Sequence, residues 1–145
     1  RSGSVLRPAS TGLVEQTPWL PSDVLWRSLT LGLPTQPTEH EFWRALKLVE
    51  LDSWVNNLPN QERTWIGADG VMPSGGQWRR LAIARLILQQ PILALLDEPT
   101  EGLEESLAIR LMERLVDEFK DRILIVVSHR DEAIRFIPHE LKLVT

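Results

Sequence analysis

Pro91 is followed by an unbroken apolar run, Ile92-Leu93-Ala94-Leu95-Leu96, that ends in two adjacent carboxylates, Asp97-Glu98. Five consecutive apolar residues between a proline and an acid pair fit a strand covered on both faces. Such strands belong to parallel sheets flanked by helices. Ile123–Val127 reads as a second buried strand. Between the two, Glu104–Lys120 is amphipathic: Leu107, Leu111 and Leu115 recur every four residues, with Ala108, Met112 and Phe119 beside them. Asp131–Phe136 reads as a short helix and Glu140–Val144 as a last strand. Strand, helix, strand, helix, strand implies right-handed crossovers and an α/β fold with a parallel sheet.

Upstream the pattern changes. Ser4–Arg7 and Gly12–Gln16 fit short strands or extended edges among Gly3, Pro8, Gly12 and Pro18. From Leu20 to about Gln90 the chain reads mostly as helix, interrupted by Pro21, Gly32, Pro34, Pro37 and Pro59. Glu39–Leu48 has helical spacing with Thr38 as its N-cap, Val49–Leu58 fits another short helix, and Trp78–Gln89 is apolar almost all round. The resulting division is 1–19 for N-terminal strands and their following loop, 20–90 for a helical subdomain, and 91–145 for the rest of an α/β core. All six tryptophans fall between Trp19 and Trp78. Their plain reading is as filling for the small subdomain; the alternative is that one or two form a docking surface.

A chain of 145 residues supports one domain with a moderate core. A formal charge of −4 disfavours nucleic acid or anionic lipid as the main partner. With no cysteine, disulfides, thiolate chemistry and cysteine zinc sites are excluded. No apolar run approaches the ~20 residues that span a bilayer. The chain starts at Arg1, with no signal peptide visible, and so reads as a piece of something longer or a protein with its start removed.

Four groups of residues carry chemistry. Ser74-Gly75-Gly76-Gln77 stands before a helix, where glycines let backbone approach a ligand and the free N–H groups of the helix start favour an anion. Alone, a Ser-Gly-Gly turn before a helix is more often just a turn. Asp97 and Glu98 end a strand at the place where open α/β sheets bind ligands. Asp97 suits a magnesium ion, and Glu98 suits orienting or deprotonating a water. His129 follows the second apolar strand by two residues, where an imidazole can sense a terminal phosphate. Gln16, after Leu13-Val14 and before Thr17-Pro18, has an amide able to reach metal or water at the same edge. His40 and His139 have no comparable setting and read as surface residues.

In this order and spacing the residues resemble the nucleotide-binding domain of ABC transporters. Gln16 matches the Q-loop and Pro73-Ser74-Gly75-Gly76-Gln77 the signature; Asp97-Glu98 matches the end of Walker B, Glu101–Glu104 the D-loop and His129 the switch histidine. The resemblance implies a P-loop NTPase (RecA-like) parallel-sheet core with an inserted α-helical subdomain, here incomplete. It implies ATP and Mg2+ as cofactors, with Glu98 as catalytic base, His129 at the γ-phosphate and Asp97 and Gln16 at magnesium. Ser74, Gly75, Gly76 and Gln77 would then face the nucleotide of a second such domain, paired head to tail. A transmembrane domain would dock on the helical subdomain at the cytoplasmic face of the membrane. Asp97–Leu103 and Ser128-His129-Arg130 look like the exporter type, similar to the thiol-exporter subunits of cytochrome bd assembly. Gln16–Pro21 is also similar to peroxisomal and peptide-uptake half-transporters.

The chain departs from the pattern in three places. Pro73 replaces the signature's leucine, and Glu104 the D-loop's aspartate. The larger departure is the phosphate loop, GxxxxGK[ST]: Gly70–Gln77 has its glycine spacing, but Gly76 stands where the lysine belongs. In the family that loop precedes the Q-loop, so it is expected before Arg1 or is missing. Without it and its strand and helix, the sheet is expected to be short and partly uncovered, and the 145-residue chain to lack ATPase activity. The leading function is the C-terminal portion of an exporter's ATP-hydrolysing domain; the alternative is a non-catalytic fragment or regulatory partner that lends a signature face in trans. A soluble relative acting on ribosomes or chromosomes is disfavoured, because Glu101-Gly102 stand where an Asn-His pair is usual and no coiled-coil insertion is present.

Overall fold

The computed structural model describes residues 8–139. The possible strands at Ser4–Arg7 and Glu140–Val144 therefore lie outside the described residues. The core is a three-stranded parallel sheet of β1 (Thr11–Val14), β4 (Leu93–Asp97) and β5 (Ile123–Val127), in the order β1-β4-β5. Register aligns Gly12, Ala94 and Leu124 in one row across the sheet and Leu13, Leu95 and Ile125 in the next, with the β4 residue in the middle of each.

One face of this sheet is covered. Val14, Ala94 and Leu96 are buried, with Leu124 and Val126 partly so, beneath α4 (Gly75–Gln89) and α5 (Glu105–Glu118). On the other face Leu13, Ile123, Ile125 and Val127 are exposed. The reading of β4 as covered on both faces and of β5 as buried is thus corrected, while the expectation of a short and partly uncovered sheet agrees with the described residues. Side chains alternate across the pleat, and among the described residues helices lie on one face only, so every second apolar residue of the run meets them. What it presents on the far side is an uncovered apolar surface among the described residues.

The helical part runs through α1 (Leu25–Thr30), α2 (Glu39–Leu48) and α3 (Asp52–Asn56) to a 3-10 turn at Gln61–Arg63. Thr38 caps α2 in a full capping box: its hydroxyl accepts from the Glu41 N–H, and the Glu41 carboxylate accepts from the Thr38 N–H at 2.7 Å. A two-residue antiparallel ribbon, β2 (Asp23–Val24) with β3 (Trp65–Ile66), closes the base of this part. Its pairs are too short to produce a period in the sequence.

Trp26 stacks on Phe42 at 4.5 Å, and Phe42 meets Trp43 edge-on at 6.2 Å. Trp54 and Trp78 also pack against the core, whereas Trp65 and Trp19 are exposed, Trp19 by 78%. Most of the tryptophans are therefore filling, as their plain reading has it.

Gly12 lets β1 lie against α4. A Cβ there would sit 2.2 Å from Leu86 Cδ1 and 2.9 Å from Gln89 Oε1. Helix α4 ends at Gln90, whose left-handed backbone (φ +49°) precedes Pro91. The last described helix, α6 (Asp131–Ile134), follows β5.

Candidate functional site

Three parallel strands deliver their following residues to one edge of the sheet. Gln16 comes after β1, Asp97 and Glu98 close β4, and Ser128 and His129 follow β5. Asp97 is half-buried, with Val127 beside it in register. Among the described residues no side-chain hydrogen bond or ion pair engages the Asp97 carboxylate.

Glu98 is more tightly held. Its N–H donates to the Val127 carbonyl at 2.8 Å, and its φ of +47° lies in the left-handed region. For a non-glycine residue that backbone costs on the order of 1–3 kcal/mol and persists only when surrounding contacts enforce it. The contacts are visible. The Ser128 hydroxyl donates to Oε2 at 2.7 Å, the His129 N–H donates to Oε1 at 3.2 Å, and His129 Nδ1 lies 2.7 Å from Oε1.

A carboxylate only accepts, so in this arrangement Nδ1 carries the imidazole proton. The Glu98 side chain is only 12% exposed, and that of His129 is 77% exposed. Burial pushes the Glu98 carboxyl up; the hydrogen bonds from His129 and Ser128, aided by the charge of His129, outweigh it and hold the group below its ordinary value. The result is an ionised carboxylate at a sheet edge, able to accept a hydrogen bond from water.

The start of α4 is a second feature. Ser74 Oγ accepts from the Gln77 N–H at 3.3 Å, and Gln77 Oε1 accepts from the Ser74 N–H at 2.9 Å. Gln77 thus closes a capping box and fixes the turn. Gly75 is the first helical residue, and a Cβ there would meet nothing within 4 Å; one at Gly76 would touch Leu103 Cδ2 at 3.0 Å. The backbone at Gly75 is open to an incoming oxygen-rich ligand, as anion binding at a helix N-terminus requires. None of the described hydrogen bonds joins Ser74–Gln77 to Gln16, Asp97, Glu98 or His129. The strand ends carry all four residues to one edge of the sheet, where Glu98 and His129 are joined by hydrogen bonds and the Gln16 amide is bonded to Glu101 instead.

Two arginines escape sequence reasoning. The Arg130 guanidinium donates to the carbonyls of Thr100 and Leu103 and pairs with Glu132, pinning the loop after β4 to the start of α6. Arg79, from the second turn of α4, donates to the carbonyls of Gln16 and Glu101, each at 2.5 Å. An arginine on a helix face has no local signature, and these acceptors lie far away in sequence. The segment after Gln16 is tied to α4 again by Trp78 Nε1, which donates to the Pro18 carbonyl at 3.0 Å.

The donor set fits the cofactors that such an edge suggests. Magnesium at phosphate sites takes one or two protein oxygens and completes its shell with water and phosphate. The Asp97 carboxylate and the Gln16 amide oxygen are hard donors of that kind. Among the described residues no group of three or more His, Asp or Glu forms a dedicated metal cage, and magnesium of this type needs none.

A parallel sheet with acidic and imidazole groups at its strand ends, and a helix start open to anions, defines the class: an α/β nucleotide-binding domain of the P-loop NTPase fold. The ABC transporter family model matches residues 4–101, and the chain belongs to that family as part of an ABC nucleotide-binding domain, whose nucleotide is ATP.

The chain is 36% identical over 119 residues to a multidrug resistance ABC transporter ATP-binding and permease protein of Lactococcus lactis subsp. lactis, and 38% identical over 122 residues to a protein of the same name from subsp. cremoris. Each match covers 82% of this chain and 20% of the relative, so the chain spans about one fifth of the length of these relatives. A bacterial Atm1-family ABC exporter solved with ATP bound is similar in structure, with a TM-score of 0.77 and 27% identity over 87% of this chain and 22% of the exporter.

Proposed function

We propose that this chain supplies the hydrolytic edge and the signature turn of an ABC exporter's ATPase domain, which couples ATP binding and hydrolysis to export. The observation that carries the reading is the convergence of Gln16, Asp97, Glu98 and His129 at the ends of three neighbouring parallel strands. Asp97 and the Gln16 amide oxygen would hold Mg2+, which neutralises phosphate charge when bound. Glu98 orients the attacking water and accepts its proton at Oε1 or Oε2. It is ionised at neutral pH, as a proton acceptor must be, and the bonds from Ser128 and His129 hold it in place while weakening it as a base. His129 is held through Nδ1, and Nε2 would donate to the terminal phosphate when both ring nitrogens carry protons.

Ser74, Gly75 and Gly76 serve a second nucleotide, held by a partner domain, through a hydroxyl and open backbone N–H groups; Gln77 keeps that turn in shape. The partners are thus a second nucleotide-binding domain and a transmembrane domain that docks on the helical part, placing the chain at the cytoplasmic face of a membrane. No helix among the described residues is long and apolar enough to cross a membrane. The relatives' names, which join ATP-binding and permease functions, support this reading.

No lysine-bearing phosphate loop occurs in the 145 residues, so the purified chain alone should hydrolyse no ATP above background. Turnover by that chain which Glu98→Gln abolishes would overturn the assignment of two half-sites to one chain.

A further inference from the structure

We propose that Glu101 and Arg79 are positioning residues that fix the flip of the Gln16 side-chain amide, so that its carbonyl oxygen is the end left for a divalent cation. The proposal rests on the reading of Gln16 as a magnesium ligand. Gln16 Nε2 donates to Glu101 Oε2 at 3.2 Å. An amide offers an NH2 at one end and an oxygen at the other, and a carboxylate accepts only. Glu101 therefore selects one of the two orientations, and the unengaged end is the hard oxygen that magnesium prefers. Without a partner the terminal torsion of glutamine is broad and nearly two-fold, and both orientations are populated. The flip alone would cost a cation only about twofold in affinity; the larger loss comes from freeing the whole Gln16 side chain, whose rotamers the bond to Glu101 also holds.

Arg79 holds this selector in place. Its Nη2 lies 3.4 Å from Glu101 Oε2 and donates to the Gln16 carbonyl at 2.5 Å, while Nη1 donates to the Glu101 carbonyl at 2.5 Å. One planar fork thus ties the main chain of Gln16, the main chain of Glu101 and the Glu101 carboxylate to α4. The Arg79 side chain is only 12% exposed, and its buried Nε has no partner. The guanidinium thus lies in a packed position and forgoes one hydrogen bond there. A lysine ammonium is a single point and cannot span the three acceptors in one plane. Groups that orient a metal ligand in this way typically change metal affinity by about 10–100-fold when removed.

The test uses the full-length protein with a non-hydrolysable ATP analogue and Mn2+ in place of Mg2+, with bound Mn2+ read by electron paramagnetic resonance. Nucleotide affinity in EDTA is measured in parallel. Gln16→Ala, Glu101→Ala and Arg79→Lys should each weaken Mn2+ binding by about tenfold, with metal-free nucleotide affinity unchanged within about twofold. The double variant Gln16→Ala/Glu101→Ala should bind Mn2+ no more weakly than Gln16→Ala alone, because both act through one amide.

Wild-type Mn2+ affinity in Glu101→Ala, additive losses in the double variant, or an equal loss of metal-free nucleotide binding would each overturn the proposal while leaving Gln16 as a ligand. Wild-type Mn2+ affinity in Gln16→Ala would remove the metal-ligand reading and the proposal with it.

Discussion

A methyl group placed on Gly75 would meet no heavy atom of the chain within 4 Å, and the residue opens α4 without a left-handed backbone. Alanine therefore fits the fold. It is the better helix former by at most about 1 kcal/mol in a helix interior and by less in the first turn, so the stability of Gly75→Ala should stay within about 0.5 kcal/mol of wild type. If Gly75 only makes a turn, nothing else should change.

If its backbone approaches a phosphate, the new Cβ stands where the ligand must come. Loss of one preorganised backbone contact to a transition-state oxyanion costs on the order of 10²–10³ in rate. The assay pairs chemical denaturation with steady-state ATP hydrolysis in the full-length protein. We expect unchanged unfolding and a fall in turnover of about 10²-fold. Hydrolysis within about twofold of wild type, or a stability loss above about 1 kcal/mol, would refute the argument.

Gly12→Ala should behave in the opposite way. Its Cβ would lie 2.2 Å from Leu86 Cδ1, and such overpacking costs about 1–3 kcal/mol, so the urea midpoint should fall; an unchanged midpoint would contradict the close approach of β1 to α4. Glu98 has a lowered proton affinity, so the stability its hydrogen bonds contribute is fully present above the ordinary carboxylate range and is lost as pH falls through the lower, folded value. The acid limb of hydrolysis should accordingly lie below the ordinary glutamate range, and Ser128→Ala, which deletes the 2.7 Å bond to Oε2, should move it to higher pH; a limb that stays in place would argue against Glu98 as the base. The purified 145-residue chain should show no turnover, as measured by phosphate release.

Local signals were the most readable part of the chain. The helix over Glu39–Leu48 with its Thr38 cap, the amphipathic α5 and the strands β4 and β5 all follow from period and capping chemistry that act within a few residues. The placement of the carboxylates and the histidine at strand ends was readable from the apolar runs that precede them. Cover on both faces of β4 was not readable from its apolar run alone, because what covers a strand depends on other elements; the partly uncovered sheet was readable from the lack of a phosphate loop with its strand and helix. The start of α4 was also blurred, because Gly75 and Gly76 have poor helix propensity and form a helical turn only with the Ser74–Gln77 box. The roles of Arg79 and Arg130 were invisible for a different reason. Each donates to carbonyls, which every residue has, so no pattern of residue types marks the partner.

The central claim is that Glu98 performs the proton transfer of ATP hydrolysis at the strand-end cluster. Glu98→Gln keeps the side-chain shape and the left-handed backbone but removes the charge. Steady-state hydrolysis and nucleotide affinity measured on the full-length Glu98→Gln protein test this directly. The expected result is a loss of turnover on the order of 10²–10⁴-fold with ATP affinity retained. Turnover within about twofold of wild type would contradict it.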